Sequence, residues 1–228
     1  MVRAMFDAIA PRYDLVNRLM TFGLDRGWRR RTVQALELAP GALVVDLACG
    51  TGDLTRELTR ARHRAVGVDL SFEMLAAAHS PGGPMLEADA VALPFASASV
   101  DGMVSGFALR NFADLPAVLA EAARILRPGG RLSLLEVDTP RSALVRAGHR
   151  IWFNMAVPRI GALLSDAAAY RYLPRSVAYL PDPEALAALL RGAGFDAIAR
   201  TPLAGGAAQL VRATRAGGQA LAAPDAPR

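Results

Sequence analysis

Glycines and carboxylates are spaced in this chain as a ligand site would need them. In "VVDLACGTGDL", residues 44–54, an apolar run carrying Asp46 breaks into Gly50 and Gly52, with Thr51 between them and Asp53 directly after. Glycines between a strand and a helix let backbone N–H groups and the helix N-terminus come close to a ligand. A dinucleotide fingerprint would need a third glycine where Thr55 stands, and Asp53 would repel a pyrophosphate. A ligand without phosphates suits the loop better. S-adenosylmethionine, with its ribose, adenine, ammonium, carboxylate and sulfonium, meets that condition.

Asp69 follows Gly50 by 19 residues, at the end of the next predicted strand, where a carboxylate can accept from both ribose hydroxyls. Asp89 ends the third strand in "EADA", so that it and the Ala90 amide can meet an adenine edge. With Leu70 and with Gly106 at the end of the fourth strand, the candidate cofactor set is Asp46, Gly50, Thr51, Gly52, Asp69, Leu70, Asp89, Ala90 and Gly106. An Asp after a strand is also an ordinary helix N-cap. Three of them in consecutive units, beside a glycine loop, favour the ligand site.

The elements that must position these residues follow from periodicity. "ALVVDLA", "RAVGVD", "PMLEAD", "VDGMVSGF" and, after an "RPGG" turn, "RLSLLEV" read as strands. Helices are expected over 53–62, over 71–79, from the Asp114 cap to Leu126, and from Pro183 or Glu184 to Gly192 or Gly194. The alternation implies an α/β fold, a doubly wound and mostly parallel sheet closed by an antiparallel hairpin, "FDAIARTPL" and "AAQLVRATR". The expected organisation is a single domain over 1–215. It comprises an N-terminal helical cap (1–40, two helices broken at Gly23), a cofactor half (41–137), a helical lid or substrate segment (138–182) and the C-terminal helix with its hairpin (183–215). A disordered tail is expected over 216–228.

Composition narrows the function classes. With 228 residues, 53% apolar and 21% charged, the chain can bury a sizeable core. Every basic side chain is Arg, and the net charge is +5. Apart from "WRRR" at Trp28–Arg31 the arginines are scattered without interleaved aromatics, which argues against nucleic acid. One Cys49 and three separated histidines, His63, His79 and His149, offer neither a disulfide nor metal-ligand spacing, so no metal is expected. No charge-free stretch approaches the roughly 20 apolar residues of a membrane span. Asp7 interrupts what would be the apolar part of a signal peptide. The expected location is cytoplasmic.

"DLACGTGD", "GVDLSFEML", "ADAVALPF", "LRNFAD" and "LRPGGRL", in this order, resemble the class I S-adenosylmethionine-dependent methyltransferases. "FDAIAPRYDLVNRLMTFGLDRGWRR", "FALRNFAD" and "VPRIGALLSDAAAYRYLPRSV" narrow the resemblance to the menaquinone/ubiquinone biosynthesis C-methyltransferases, over about Phe6 to Arg215. The resemblance implies S-adenosylmethionine contacts at Thr51, Asp69, Asp89 and Ala90, which coincide with the residues reached from spacing. It implies C-methylation of a prenylated hydroquinone, demethylmenaquinol to menaquinol. Its "LRN" falls on Leu109, Arg110 and Asn111, and its front "YD…N" on Tyr13, Asp14 and Asn17. Where relatives read "SFGLRN" this chain has Gly106, Phe107, Ala108 and Leu109, so a cofactor-touching serine is missing unless Ser105 replaces it. "LEVDTP" likewise stands where relatives more often have "LEFS".

A sulfonium is an activated methyl donor, so the protein's task is alignment and water exclusion. The ring carbon becomes nucleophilic when the quinol loses an O–H proton, and a phenol with a pKa of about 10 needs help near neutrality. The implied catalytic set is Arg110 to stabilise the phenolate, with Asn111 and Tyr13 to orient it. Water or a carboxylate would be the base. A prenyl tail calls for an apolar slot, which the N-terminal helices and "HRIWFNMAVPRIGALL" can supply, with Arg150 and Arg159 toward lipid head groups. Peripheral contact with the inner membrane face and a homodimer are arrangements this reading allows. Two other readings fit part of the pattern: a specialised-metabolite methyltransferase acting on a phenol or polyketide, and a non-catalytic protein that has kept the fold.

Overall fold

A computed structural model describes residues 21–79, 82–138 and 179–217, together with Asp7, Ala10 and Arg18. The expected lid segment, apart from Asp138 and residues 179–182, lies outside them, as do Tyr13, Asp14, Asn17, Arg150, Arg159 and the tail from 218. Numbered over the described residues, the elements are α1 (Asp25–Gln34), β1 (Leu43–Leu47), α2 (Asp53–Arg60), β2 (Arg64–Asp69), α3 (Phe72–Ala76), β3 (Met85–Glu87) and β4 (Val100–Gly106). There follow α4 (Leu115–Ile125), β5 (Leu126–Val137), α5 (Pro183–Gly192), β6 (Phe195–Leu203) and β7 (Ala208–Arg215). The sheet runs β3-β2-β1-β4-β5-β7-β6. Pairs β1–β2, β1–β4, β2–β3 and β4–β5 are parallel, and β7 runs antiparallel to both β5 and β6.

Alternation along β1 sorts its side chains between two cores. Val45 and Leu47 join Met103, Leu119, Ile125 and Leu190 beneath α4 and α5. Val44 joins Val33, Leu36, Leu54 and Leu58 beneath α1 and α2. The sheet is therefore covered on both faces, as buried parallel strands require. Asp46 shares the face of Val44, which is why a charged residue of a core strand meets α2. α4 starts where expected: Asp114 accepts from the Ala117 amide at 2.9 Å and a proline opens the first turn.

Differences from the sequence reading are local. "RPGG" is not a turn outside the strand but part of β5, whose pairing with β4 shifts register between Val100 and Gly102. The helix expected over 71–79 stops at Ala76, and the strand expected through Asp89 stops at Glu87. At the start of the expected tail, the Ala216 amide donates to Gly194 O at 3.0 Å. Arg29 is a buried member of α1, so "WRRR" is not a solvated basic face throughout; its guanidinium pairs with Asp25 and, at 3.0 Å, with Asp53.

The glycine loop passes close over β2. A Cβ on Gly67 would stand 2.9 Å from Cys49 Sγ and 3.1 Å from Thr55 Oγ1. Gly67→Ala should cost about 1–3 kcal/mol, the usual range for overpacking a filled core. It should also weaken cofactor binding by displacing the loop. Urea midpoints test this, and a variant as stable as the parent would mean that the loop has room the geometry does not show.

Candidate functional site

Two βα loops meet at the carboxyl edge of the sheet through Asp69. One carboxylate oxygen accepts from the Gly50 amide at 2.7 Å and the other from the Ser71 amide at 2.9 Å. Asp69 is not the N-cap of the next helix; Ser71 is, accepting from Met74 N at 3.1 Å. Burial pushes the Asp69 carboxyl above its ordinary range, opposed by the backbone amides of Ser71, Gly50 and Leu70. Each oxygen keeps lone-pair capacity for a further donor. Ser71 also reaches the N-terminal segment, its hydroxyl donating to Asp7.

Behind the loop lies a second acidic group. Asp46 is 1% exposed and accepts from Thr55 Oγ1 at 2.7 Å, while its Oδ1 has no partner among the described residues. Burial raises its pKa to about 7, helped by Asp69 and opposed by Thr55 and Arg29. The Cys49 thiol next to it is pushed up, first by burial and then by Asp46 and Asp69, so it is held protonated and unreactive. Asp46 and Thr51 line a small recess of about 30 Å³ together with Arg29 and Asp53, a space of water size. The charge of Asp53 is balanced by Arg29 and Arg56, which qualifies the expectation that Asp53 repels phosphate. The feature that disfavours phosphate is different: Asp69 already holds the Gly50 amide.

Asp69 and the other strand ends open on a cavity of about 580 Å³, within the range of small-molecule sites. Gly50, Asp69, Leu70, Asp89, Ala90, Gly106 and Asn111 of the expected set line it. Asp46 and Thr51 face only the small recess, and Gly52 lines neither. Gly52 serves the backbone instead, at φ 82° as N-cap of α2, with its amide donating to Cys49 O at 2.9 Å. Asp89 Oδ1 accepts from Val91 N at 3.2 Å. A Cβ on Gly106 would stand 2.9 Å from Leu54 Cδ1, so backbone forms the wall there.

The acceptor end departs most from expectation. Leu109–Asn111 forms a short 3₁₀ turn after β4. Asn111 lines the cavity, its side-chain amide donating to Phe107 O at 3.4 Å. Arg110 does not line it: the side chain is buried and its guanidinium donates to Glu136 at the end of β5. A guanidinium whose charge is balanced by a buried carboxylate is a weaker phenolate stabiliser than the Arg110 beside the acceptor oxygen that the resemblance implied. Tyr13 lies outside the described residues.

Sequence reasoning missed the apolar half of the cavity. Met74, Phe107, Phe112 and Val118 line it. Phe107 has φ 60°, rare for a bulky residue, and its ring lies 6.4 Å from that of Trp28 at 58°. Nothing in "GFALRN" announces that backbone state. The spacing of Phe107 and Phe112 around the Arg–Asn pair was the one legible signal. Among the described residues no cluster of His, Cys, Asp and Glu could hold a metal ion, and no helix is long and apolar enough to cross a membrane.

Known proteins match at three levels. The model of the ubiE/COQ5 methyltransferase family matches residues 1–215. A demethylmenaquinone methyltransferase of Deinococcus radiodurans is 46% identical over 204 residues, covering 85% of this chain and 84% of its own. A ubiquinone/menaquinone biosynthesis C-methyltransferase UbiE of Syntrophotalea carbinolica is 41% identical over 221 residues, 93% of each chain. Among solved structures, an S-adenosylmethionine-dependent methyltransferase of Thermotoga maritima, a possible histamine N-methyltransferase, superposes with a TM-score of 0.66 at 22% identity. It covers 94% of this chain and 100% of its own, a likeness of fold.

Asp46 provides a pH test of the loop. Its folded pKa of about 7 stands above the ordinary 3.8, so the folded state holds the proton more tightly than the unfolded chain. The stabilisation is complete below the unfolded value and is lost as pH rises through the folded one. Asp46→Asn carries no such proton, so its stability relative to the parent should rise by roughly 2–5 kcal/mol between pH 4 and 7.5 and then level off. Denaturant midpoints across that range measure it; a difference that stays flat would return Asp46 to an ordinary pKa.

Proposed function

The chain belongs to the ubiE/COQ5 methyltransferase family, and we propose that its acceptor is demethylmenaquinol, methylated on a ring carbon to give menaquinol. It is an S-adenosylmethionine-dependent methyltransferase of quinone biosynthesis. The observation that carries the choice of acceptor is the mixed lining of the cavity: Asp69 and Asp89 after β2 and β3, and Phe107, Phe112 and Asn111 after β4. The name of the Deinococcus radiodurans relative supports the same choice, and that of the Syntrophotalea carbinolica relative supports C-methylation in quinone biosynthesis.

The cofactor fits the carboxylate end. Asp69, already oriented by two amides, has oxygens left for two ribose hydroxyls. Asp89 and the Ala90 amide serve the adenine edge, and bare backbone at Gly50 and Gly106 permits close approach. In this reading Asp46 and Thr51 act through the small recess and Gly52 through the shape of the loop. Bound there, S-adenosylmethionine supplies a methyl group already activated by its sulfonium. The protein contributes alignment and exclusion of water by the aromatic wall. Asn111 orients an acceptor hydroxyl, Tyr13 shares that task, and Arg110 contributes through its pair with Glu136. The acceptor's prenyl tail supports a peripheral seat at the cytoplasmic face of a membrane.

Labelled S-adenosylmethionine incubated anaerobically with naphthoquinols, benzoquinols and simple phenols should label demethylmenaquinol and leave its oxidised quinone unlabelled. Only the reduced ring has an O–H whose loss pushes charge onto the neighbouring carbon. Preferential labelling of a simple phenol would instead favour a specialised-metabolite enzyme. Asp69→Ala should weaken cofactor binding by about ten- to a hundredfold, from the loss of charged hydrogen bonds worth roughly 1–3 kcal/mol. Calorimetry on the folded variant reads this directly, and unchanged affinity would remove Asp69 from the site.

A further inference from the structure

Of the arginines in "WRRR", Arg30 and Arg31 are exposed, whereas Arg29 is buried with 9% of its side chain accessible. Its Nη1 donates to Asp25, and its Nη2 pairs with Asp53 at 3.0 Å. A guanidinium carries more N–H donors than these two contacts use, and no further partner of Arg29 stands among the described residues. Asp53 is shared with Arg56, so the four groups balance in charge. Arg29 also lines the recess of about 30 Å³ behind the glycine loop.

That recess adjoins the large cavity: Ala48, Gly50, Gly106 and Phe107 line both. Gly50 is also the residue whose amide Asp69 holds at 2.7 Å, so the recess begins at the ribose clamp. At roughly 10–15 Å³ for each water-sized group, its volume admits the two oxygens of a carboxylate and little more. Asp46 lines the same recess. Its unpartnered Oδ1 is enclosed, so it lends negative charge there and not contact. A cation with donors to spare beside an acidic group is the complement of a zwitterion. The adenine and ribose of the cofactor have partners in the proposed function, and its amino-acid end, an ammonium and a carboxylate, has none.

We propose that Arg29 is a cofactor-binding residue, its guanidinium donating in the recess to the carboxylate of the amino-acid end of S-adenosylmethionine. This inference rests on the placement of the ribose at Asp69 and is independent of the acceptor. Arginine suits the task because a planar fork can hold Asp25 and Asp53 and still offer N–H groups to a third carboxylate. Those two acidic partners also fix the fork before the ligand arrives, so little side-chain freedom is lost on binding. A zwitterion adds no net charge to a balanced network.

The test uses the full chain and two ligands that transfer no methyl group. One is S-adenosylhomocysteine; the other is its decarboxylated analogue S-adenosyl-3-thiopropylamine, which keeps the amine and lacks the carboxylate. Calorimetry should show the parent binding S-adenosylhomocysteine about ten- to a hundredfold more tightly than the analogue, the scale of charged hydrogen bonding. Arg29→Gln should lose most of that preference by weakening S-adenosylhomocysteine alone, with the analogue bound as by the parent. A purely structural role through Asp25 and Asp53 would weaken both ligands equally, and that result overturns the inference, as does a parent that binds the two alike. If Arg29→Gln does not fold, Arg29→Lys decides, since a point ammonium keeps the charge and loses the fork. S-adenosylhomocysteine affinity must then fall while that of the analogue holds, and equal losses or no loss overturn the assignment. The two levels separate in the same titrations. A parental preference that persists in Arg29→Gln refutes only the role of Arg29, whereas a parent that binds neither ligand refutes the cofactor placement and this inference together.

Discussion

One carboxylate holds the ligand end of the sheet together. Asp69 leaves β2 and is bound at once by the amide of Gly50, from the loop after β1, and by that of Ser71, from its own loop. The two loops are neighbours because β1 and β2 are, so the clamp converts strand order into cavity shape. Its burial raises the Asp69 pKa, and the amides that oppose the rise also aim the carboxylate. A carboxylate oriented in advance loses little freedom when it meets a ligand's hydroxyls. The same bonds occupy the Gly50 amide, which a phosphate-binding loop would leave open.

Around that clamp the charges are arranged in balance. Arg29 bridges Asp25 and Asp53, and Arg56 closes on Asp53 from within α2. The acidic groups flanking the glycine loop thus present a nearly neutral outer side, while Asp46 behind it carries its proton up to about pH 7. Only Asp69 and Asp89 bring carboxylates to the large cavity together with the helix cap Asp114. Such a site suits a ligand with hydroxyls and a cationic centre, as S-adenosylmethionine is.

At the far end the cavity changes character. Phe107, forced into a left-handed conformation between β4 and the 3₁₀ turn, packs near Trp28 of α1 and closes the wall with Phe112. The departure from the relatives' "SFGLRN" falls in this stretch, yet it leaves Asn111 at the cavity and Arg110 anchored. Glu136, within the altered "LEVDTP", is the anchor. A buried ion pair is a poor source of net stability, since desolvation offsets most of the attraction.

Sequence alone determined the order of strands and helices, the hairpin and the place of Asp69 and Asp89 after consecutive parallel strands, where both line the cavity, because these follow from local period and from the rule that ligands sit at carboxyl ends of parallel strands. The bond from Gly50 to Asp69 was not read from the sequence, although the adjacency of β1 and β2 that permits it follows from the same rule. Tertiary structure decided the rest. Whether Arg110 faces the ligand or the core depends on how a three-residue turn seats against β5, and a spacing of 26 residues says nothing of a pair with Glu136. Asp46 lies one residue from the cavity-lining Leu47 but on the opposite face, since side chains along a strand alternate. The aromatic wall required Phe107 to take a backbone state that no local preference favours. Such a state persists only because β4, β5 and α1 hold it from three sides.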